Sequence, residues 1–333
     1  MKTVSFGIAN YCVPCHAHCR YCLLSSCGRA TGVSSGDGAA FASRVLQELS
    51  EKRPELSSSY YIGYCMDTPE LFPYIGFCRE YHSPGARFLQ MNGFAFRSVH
   101  EIQTLMNGIR ESGVQMIDLT FYGTEDYHDR FAGRTGDFRL LLQMLAAANR
   151  AGLPVNISVP LIRENLNQLM EMRRILSFGR VEKYLYFLPH SKGRGKMLQD
   201  QRITKREFGL LPEEVKHSFQ TVKHMTEAEW ISTGDFAEPE KRNLTLVLTP
   251  DNLPRFSRMA GEDILKEMEE LDDRYLAQML SVRELAARYG NPQNEQLFRF
   301  RDLLLKWQQE YIAETGNRIY DMHDETHHFS VHA

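Results

Sequence analysis

Apolar positions follow two alternating spacings through the first 190 residues. Short strand-like runs recur at Val4–Ile8, Ser59–Cys65, Arg87–Met91, Val114–Phe121, Pro154–Pro160 and Val181–Leu188. Between them apolar residues return every three or four positions: Ala39–Leu49, a segment after Thr68-Pro69, Val99–Glu111, Phe138–Asn149 and Leu166–Leu176. Runs of the first kind suit a sheet, and returns of the second kind draw an apolar stripe along a helix. The punctuation agrees. Pro69 suits a first helical turn, Asn92-Gly93 ends the third strand, and Gly113 and Gly152 stop helices. Six strand–helix units predict a parallel sheet with right-handed crossovers. Six are too few for the usual eight-unit barrel. The predicted class is therefore α/β, an open, partial (β/α)6 TIM-like barrel over residues 1–200. Ligands in such sheets bind beyond the carboxyl ends of the strands.

The pattern changes over residues 201–333. Ile203–Trp230 is mixed, and one short strand is read at Leu244–Leu248. Ile264, Leu265, Met268, Leu271, Tyr275, Leu276, Met279 and Leu280 mark one face of a long helix, broken at Gly290-Asn291-Pro292. A second helix, Glu295–Glu314, carries Leu297, Phe300, Leu304, Trp307 and Tyr311. This part is expected to be a mostly helical extension covering the open side of the barrel.

Composition sharpens the picture in three places. With 43% apolar residues, the chain can bury a large core. A net charge of -3 argues against broad binding to nucleic acid or anionic membranes, although Lys192-Gly193-Arg194-Gly195-Lys196 is locally basic. No run reaches the roughly 18 apolar residues of a membrane helix. Met1–Ile8 lacks a signal's apolar core, so a cytoplasmic location is expected. All seven cysteines lie at 12, 15, 19, 22, 27, 65 and 78. An odd number crowded at one end suggests metal binding rather than a disulfide framework.

The dense group is Cys15-His16-Ala17-His18-Cys19-Arg20-Tyr21-Cys22, within a loop over residues 12–27 that follows the first strand. Three thiolates in eight residues can hold three corners of a cubic iron–sulfur cluster and leave the fourth iron open to a ligand. The competing reading is a structural zinc site on Cys12, Cys15, Cys19 and Cys22 in an interaction module. Four ligands in eleven residues, with no distant second pair, would be an unusual zinc knuckle. Cys12 and Cys27 read as small buried hydrophobes.

The Cys-x3-Cys-x2-Cys spacing, with Tyr21 before the last cysteine, resembles the radical S-adenosylmethionine (SAM) superfamily. The resemblance spans residues 4–196. It implies a [4Fe-4S] cluster on Cys15, Cys19 and Cys22, with SAM chelating the fourth iron and Tyr21 at the cofactor. Cys65-Met66-Asp67-Thr68-Pro69 stands where the family has Gly-Gly-Glu-Pro. Both glycines are missing, and Asp67 would replace the acid that holds the SAM amino group. Cys65 is read either as a hydrogen-atom donor or as a buried apolar thiol. Leu89-Gln90-Met91-Asn92-Gly93 is similar to the family's Thr-Asn-Gly. Thr120 is expected at the ribose, and Asn156 and Ser158 at the ribose or the methionine carboxylate. Arg163 is a candidate carboxylate partner. The Pro189–Gly195 turn is expected to face adenine or substrate. His128-Asp129 reads as a capping or loop-packing pair.

Two absences refine the expectation. No cysteine follows Cys78, which removes the cysteine-rich extension that carries extra clusters, and no cobalamin-binding segment is recognisable. The histidine-rich stretch Met322–His332 reads as a free terminus rather than a metal site. The resemblance thus implies reductive SAM cleavage and hydrogen abstraction from a small molecule or short peptide. A flavodoxin or ferredoxin would supply the electron. A glycyl-radical activase and an RNA-modifying enzyme are the alternatives within the superfamily.

Overall fold

The computed structural model describes residues 3–10, 15–22, 33–62, 67, 69–80, 87–234 and 241–317. Cys12, Cys27, Cys65 and the histidine-rich stretch lie outside them. All six expected strands form: β1 (Thr3–Asn10), β2 (Ser57–Ile62), β3 (Phe88–Gln90), β4 (Met116–Thr120), β5 (Val155–Pro160) and β6 (Lys183–Phe187). Two residues each make β7 (Met225–Thr226) and β9 (Leu297–Phe298), which pair antiparallel. The eight-residue β8 (Lys241–Leu248) lies between them in the chain.

The strands form two parallel sheets, β2-β1-β8 and β3-β4-β5-β6. One face of each is apolar and enters a common core. Phe6, Ile8, Leu244, Leu246 and Leu248 meet Val45 and Leu49 of helix Ser35–Lys52 and Ile264, Leu265 and Met268 of helix Gly261–Leu276. Ile117, Leu119, Val155, Ile157 and Val159 meet Ile102 and Met106 of helix Val99–Glu111 and Leu141 and Met144 of helix Asp137–Arg150. Because side chains alternate along a strand, the opposite faces are free to be polar. In β2-β1-β8 the register rows are Ser57–Ser5–Asn243 and Ser59–Gly7–Thr245, lining a cleft of about 320 Å³. In the other sheet they are Gln90–Asp118–Asn156–Lys183 and Thr120–Ser158–Leu185.

Four features differ from the expectation, the first being that Leu297, read on the second C-terminal helix, lies in β9, and that helix runs Phe300–Thr315. The strand read at Leu244–Leu248 belongs to the sheet: β8 adds in parallel to the free edge of β1, so residues beyond 201 also build the strand layer. The long C-terminal helix is two helices, Gly261–Leu276 and Val282–Tyr289. Ser281 starts the second through a reciprocal cap with Glu284, which overrides the continuing apolar stripe. An additional helix, Glu125–Ala132, follows β4; it buries Tyr127, His128, Phe131 and Ala132.

Candidate functional site

The cysteine loop is pinned by its backbone on several sides. The amides of His16, His18 and Arg20 donate to the carbonyls of Gly93 (2.8 Å), Ala132 (2.6 Å) and Phe131 (3.0 Å). The Arg194 amide donates to the Cys22 carbonyl at 2.9 Å. Gly133, with φ +64°, allows this approach, since a Cβ there would lie 2.8 Å from His18 Cβ.

Inside the loop, the Tyr122 hydroxyl donates to Cys19 Sγ at 3.1 Å. Burial pushes the Cys19 thiol up to about 12; the Tyr122 bond opposes the rise, and negative charge on Cys15 and Cys22 adds to it. The three thiols therefore share one electrostatic neighbourhood. Cys15 Sγ lies 3.8 Å from the Ala17 carbonyl, and among the described residues no three His, Cys, Asp or Glu side chains close up into a ligand set. Tyr21 packs its ring near Tyr122 (5.6 Å), Phe131 (5.9 Å) and Phe187 (6.1 Å), and its hydroxyl bonds to Tyr122 and Thr120.

Thr120 joins the loop to the polar face of β3–β6. Asn92 clasps its backbone, accepting from the amide at 2.6 Å and donating to the carbonyl at 2.8 Å. The Thr120 hydroxyl lies 3.5 Å from Asp118 Oδ1, and Ser158 donates to Asp118 Oδ2 at 2.6 Å. Asp118 is 2% exposed. Burial holds its carboxyl up at about 6, although both hydroxyls pull it down. Asn156 stands beside Asp118 in register, and its Oδ1 is buried without a partner. Thus Tyr21, Thr120, Asn156 and Ser158 form a continuous polar floor next to the cysteine loop.

Asp67 also reaches the loop, with an oxygen 3.7 Å from His16 Nε2, but it is already bound to the Arg97 guanidinium and to the Ala95 amide at 2.6 Å. Arg163 points elsewhere. It donates to Glu207 at 2.7 Å and to the carbonyls of Asp200 and Arg202, tying the segment after β5 to residues 200–207. His128 bridges the Tyr122 amide (3.2 Å) and Asp137 (3.0 Å), while Asp129 accepts from the amides of Gly136 and Phe138. This pair caps and packs.

Two residues were not singled out from the sequence. Asp118 and Tyr122 lie two positions either side of Thr120, so strand alternation could have flagged Asp118. Arg194 sits between Gly193, at φ +55°, and Gly195, whose Cβ would lie 2.1 Å from the His190 carbonyl. This turn, read as locally basic and as facing adenine or substrate, brings Arg194 against the cysteine loop.

No family description and no curated protein matches the chain in sequence. Solved structures do match it in shape. Streptococcus suis SuiB bound to S-adenosylmethionine superposes with a TM-score of 0.50 at 10% identity, over 74% of this chain and 58% of SuiB. SuiB bound to precursor peptide SuiA gives 0.51 at 9% identity, over 78% and 62%. Native anSMEcpe with bound AdoMet gives 0.51 at 12% identity, over 96% and 98%. The fold is the radical SAM fold. The chain spans about three-fifths of the length of SuiB and nearly all of anSMEcpe.

On this radical SAM fold the cysteine loop follows β1 and carries three thiols, the ligand type that iron–sulfur groups take. The Arg194 guanidinium adds a cation: Nη1 donates to the His18 carbonyl at 3.2 Å, while Nε and Nη2 are buried without partners. Clustered thiols beside an unsatisfied cation fit an anionic iron–sulfur group.

Proposed function

We propose that this protein is a radical SAM enzyme acting on a small molecule or a short peptide. The carrying observation is the set of Cys15, Cys19 and Cys22 on the loop after β1 of that fold. Strands β1–β6 are read as a partial (β/α)6 barrel over residues 1–200, with β8 extending it and the remainder of 201–333 covering it. The three cysteines would hold a [4Fe-4S] cluster. When bound, that cluster supplies the electron for reductive cleavage of SAM and, through it, hydrogen abstraction.

The chain's own groups bind and orient. Tyr122 donates to the Cys19 sulfur, and Tyr21 walls the cofactor position with Phe131 and Phe187. Thr120, Asn156 and Ser158 offer hydroxyl and amide groups to the ribose or the methionine carboxylate. Asp67 would meet the SAM amino group after sharing its charge with Arg97, and Arg163 a carboxylate after leaving Glu207. In this proposal Cys65 is the hydrogen-atom donor. The neighbouring SuiB structure holds a precursor peptide, which favours a peptide here. Its reductant would be a flavodoxin or ferredoxin. Among the described residues no helix is long and apolar enough to cross a membrane, and a cytoplasmic location is part of this proposal.

Cys19→Ala tests the assignment. Iron and sulfide content and 5′-deoxyadenosine formation should both fall to background. Wild-type 5′-deoxyadenosine formation by the variant would overturn it.

A further inference from the structure

The turn after β6 presents a cation whose hydrogen bonds the chain leaves incomplete. Two glycines shape it, and the Gly195 amide closes it on the Lys192 carbonyl at 2.9 Å. Arg194, between them, touches the cysteine loop twice: its amide reaches Cys22 O and its Nη1 reaches His18 O. Its guanidinium therefore lies on the segment that carries Cys19 and Cys22. Its Nε and Nη2 have no acceptor and no solvent.

A fully buried arginine gives the contrast. Arg202 directs Nε and Nη2 to the Leu297 carbonyl and Nη1 to the Pro189 carbonyl and Ser191 hydroxyl, with Asp302 3.8 Å away. The fold can thus satisfy a buried guanidinium where the role is structural. Unmade hydrogen bonds of a buried charged donor are costly. An anion bound beside Arg194 would supply the missing acceptor. The turn is also braced from behind, because the Ser191 amide donates to the buried Asp302 at 3.2 Å.

We propose that Arg194 is a positioning residue that faces the anionic iron–sulfur group of the cysteine loop and raises its reduction potential. This rests on the cluster assignment above. A nearby positive charge in a low dielectric favours the more negative, reduced state. Lysine keeps the charge but loses the planar fork.

The test is anaerobic reconstitution of wild type, Arg194→Gln, Arg194→Met and Arg194→Lys, then a redox titration followed by the EPR signal of the reduced cluster. Removing the charge should make reduction about tenfold less favourable, a shift of about 59 mV to more negative potential. Glutamine and methionine should shift alike, and lysine should restore part of the change. An unchanged midpoint in either neutral variant at wild-type iron content overturns the inference. If the methionine variant fails to hold iron, the glutamine variant decides. Wild type without a cluster overturns the cofactor reading itself and this inference with it.

Discussion

Two regions of the molecule each bury an aspartate, and the two acids are treated in opposite ways. Asp118, on the polar floor beside the cysteine loop, has among the described residues the hydroxyls of Thr120 and Ser158, and burial holds its carboxyl up at about 6. Asp302 sits where the C-terminal helix Phe300–Thr315 meets the turn after β6. Burial opposes its ionisation too, but His190, Arg299 and Arg202 outweigh that and hold it well below the usual carboxylate range. At the junction the acid is held between two guanidinium groups, as suits a group that holds parts together. The floor instead keeps an acid in an unfavourable environment, the common signature of a site used on something else.

The comparison breaks most readily at the junction. Asp302→Ala strands two arginines, so urea unfolding should show a loss of about 3–5 kcal/mol. The floor should respond with the opposite sign. Asp118→Asn should stabilise the protein at pH 7 by up to about 3 kcal/mol while reducing substrate turnover. A raised carboxyl contributes stability below about 3.8 that is lost as pH rises through about 6. The advantage of the variant should therefore widen over that window and then stay level. A destabilised Asp118→Asn at pH 7 would remove the contrast.

Smaller effects sharpen it. Burial lowers His190 to about 4, with Asp302 opposing and Arg299 assisting, so its contribution is present above about 6.5 and lost as pH falls towards 4. His190→Gln should flatten the fall of unfolding free energy with acid across that range. Tyr122→Phe should cost least, about 1 kcal/mol at the Cys19 sulfur, read as a several-fold slower formation of 5′-deoxyadenosine.

What was legible in the chain were features written in local spacing. Helix Val99–Glu111 forms over the expected residues because its apolar stripe and the Ser98–Glu101 cap agree. Cys15, Cys19 and Cys22 stand out in the chain by their spacing alone. The pairing of β8 with β1 was hidden, since it joins residues about 240 positions apart with no local mark. Helix Glu125–Ala132 is short and polar on one side, with too few turns to display a period. The end of the long helix at Ser281 was written in its cap, but the apolar stripe through Met279 and Leu280 argued the other way. Asp118 and Arg194 were visible as residues; their distinction lies in burial and in missing partners, which only the assembled fold creates.

The central claim is that the cysteine loop carries redox chemistry directed at SAM. Its most direct measurement is chromatography for 5′-deoxyadenosine after anaerobic reconstitution with iron and sulfide, with and without dithionite. The account predicts product only from the reduced, iron-loaded protein. Stoichiometric zinc in place of iron, with no product under reduction, would contradict it.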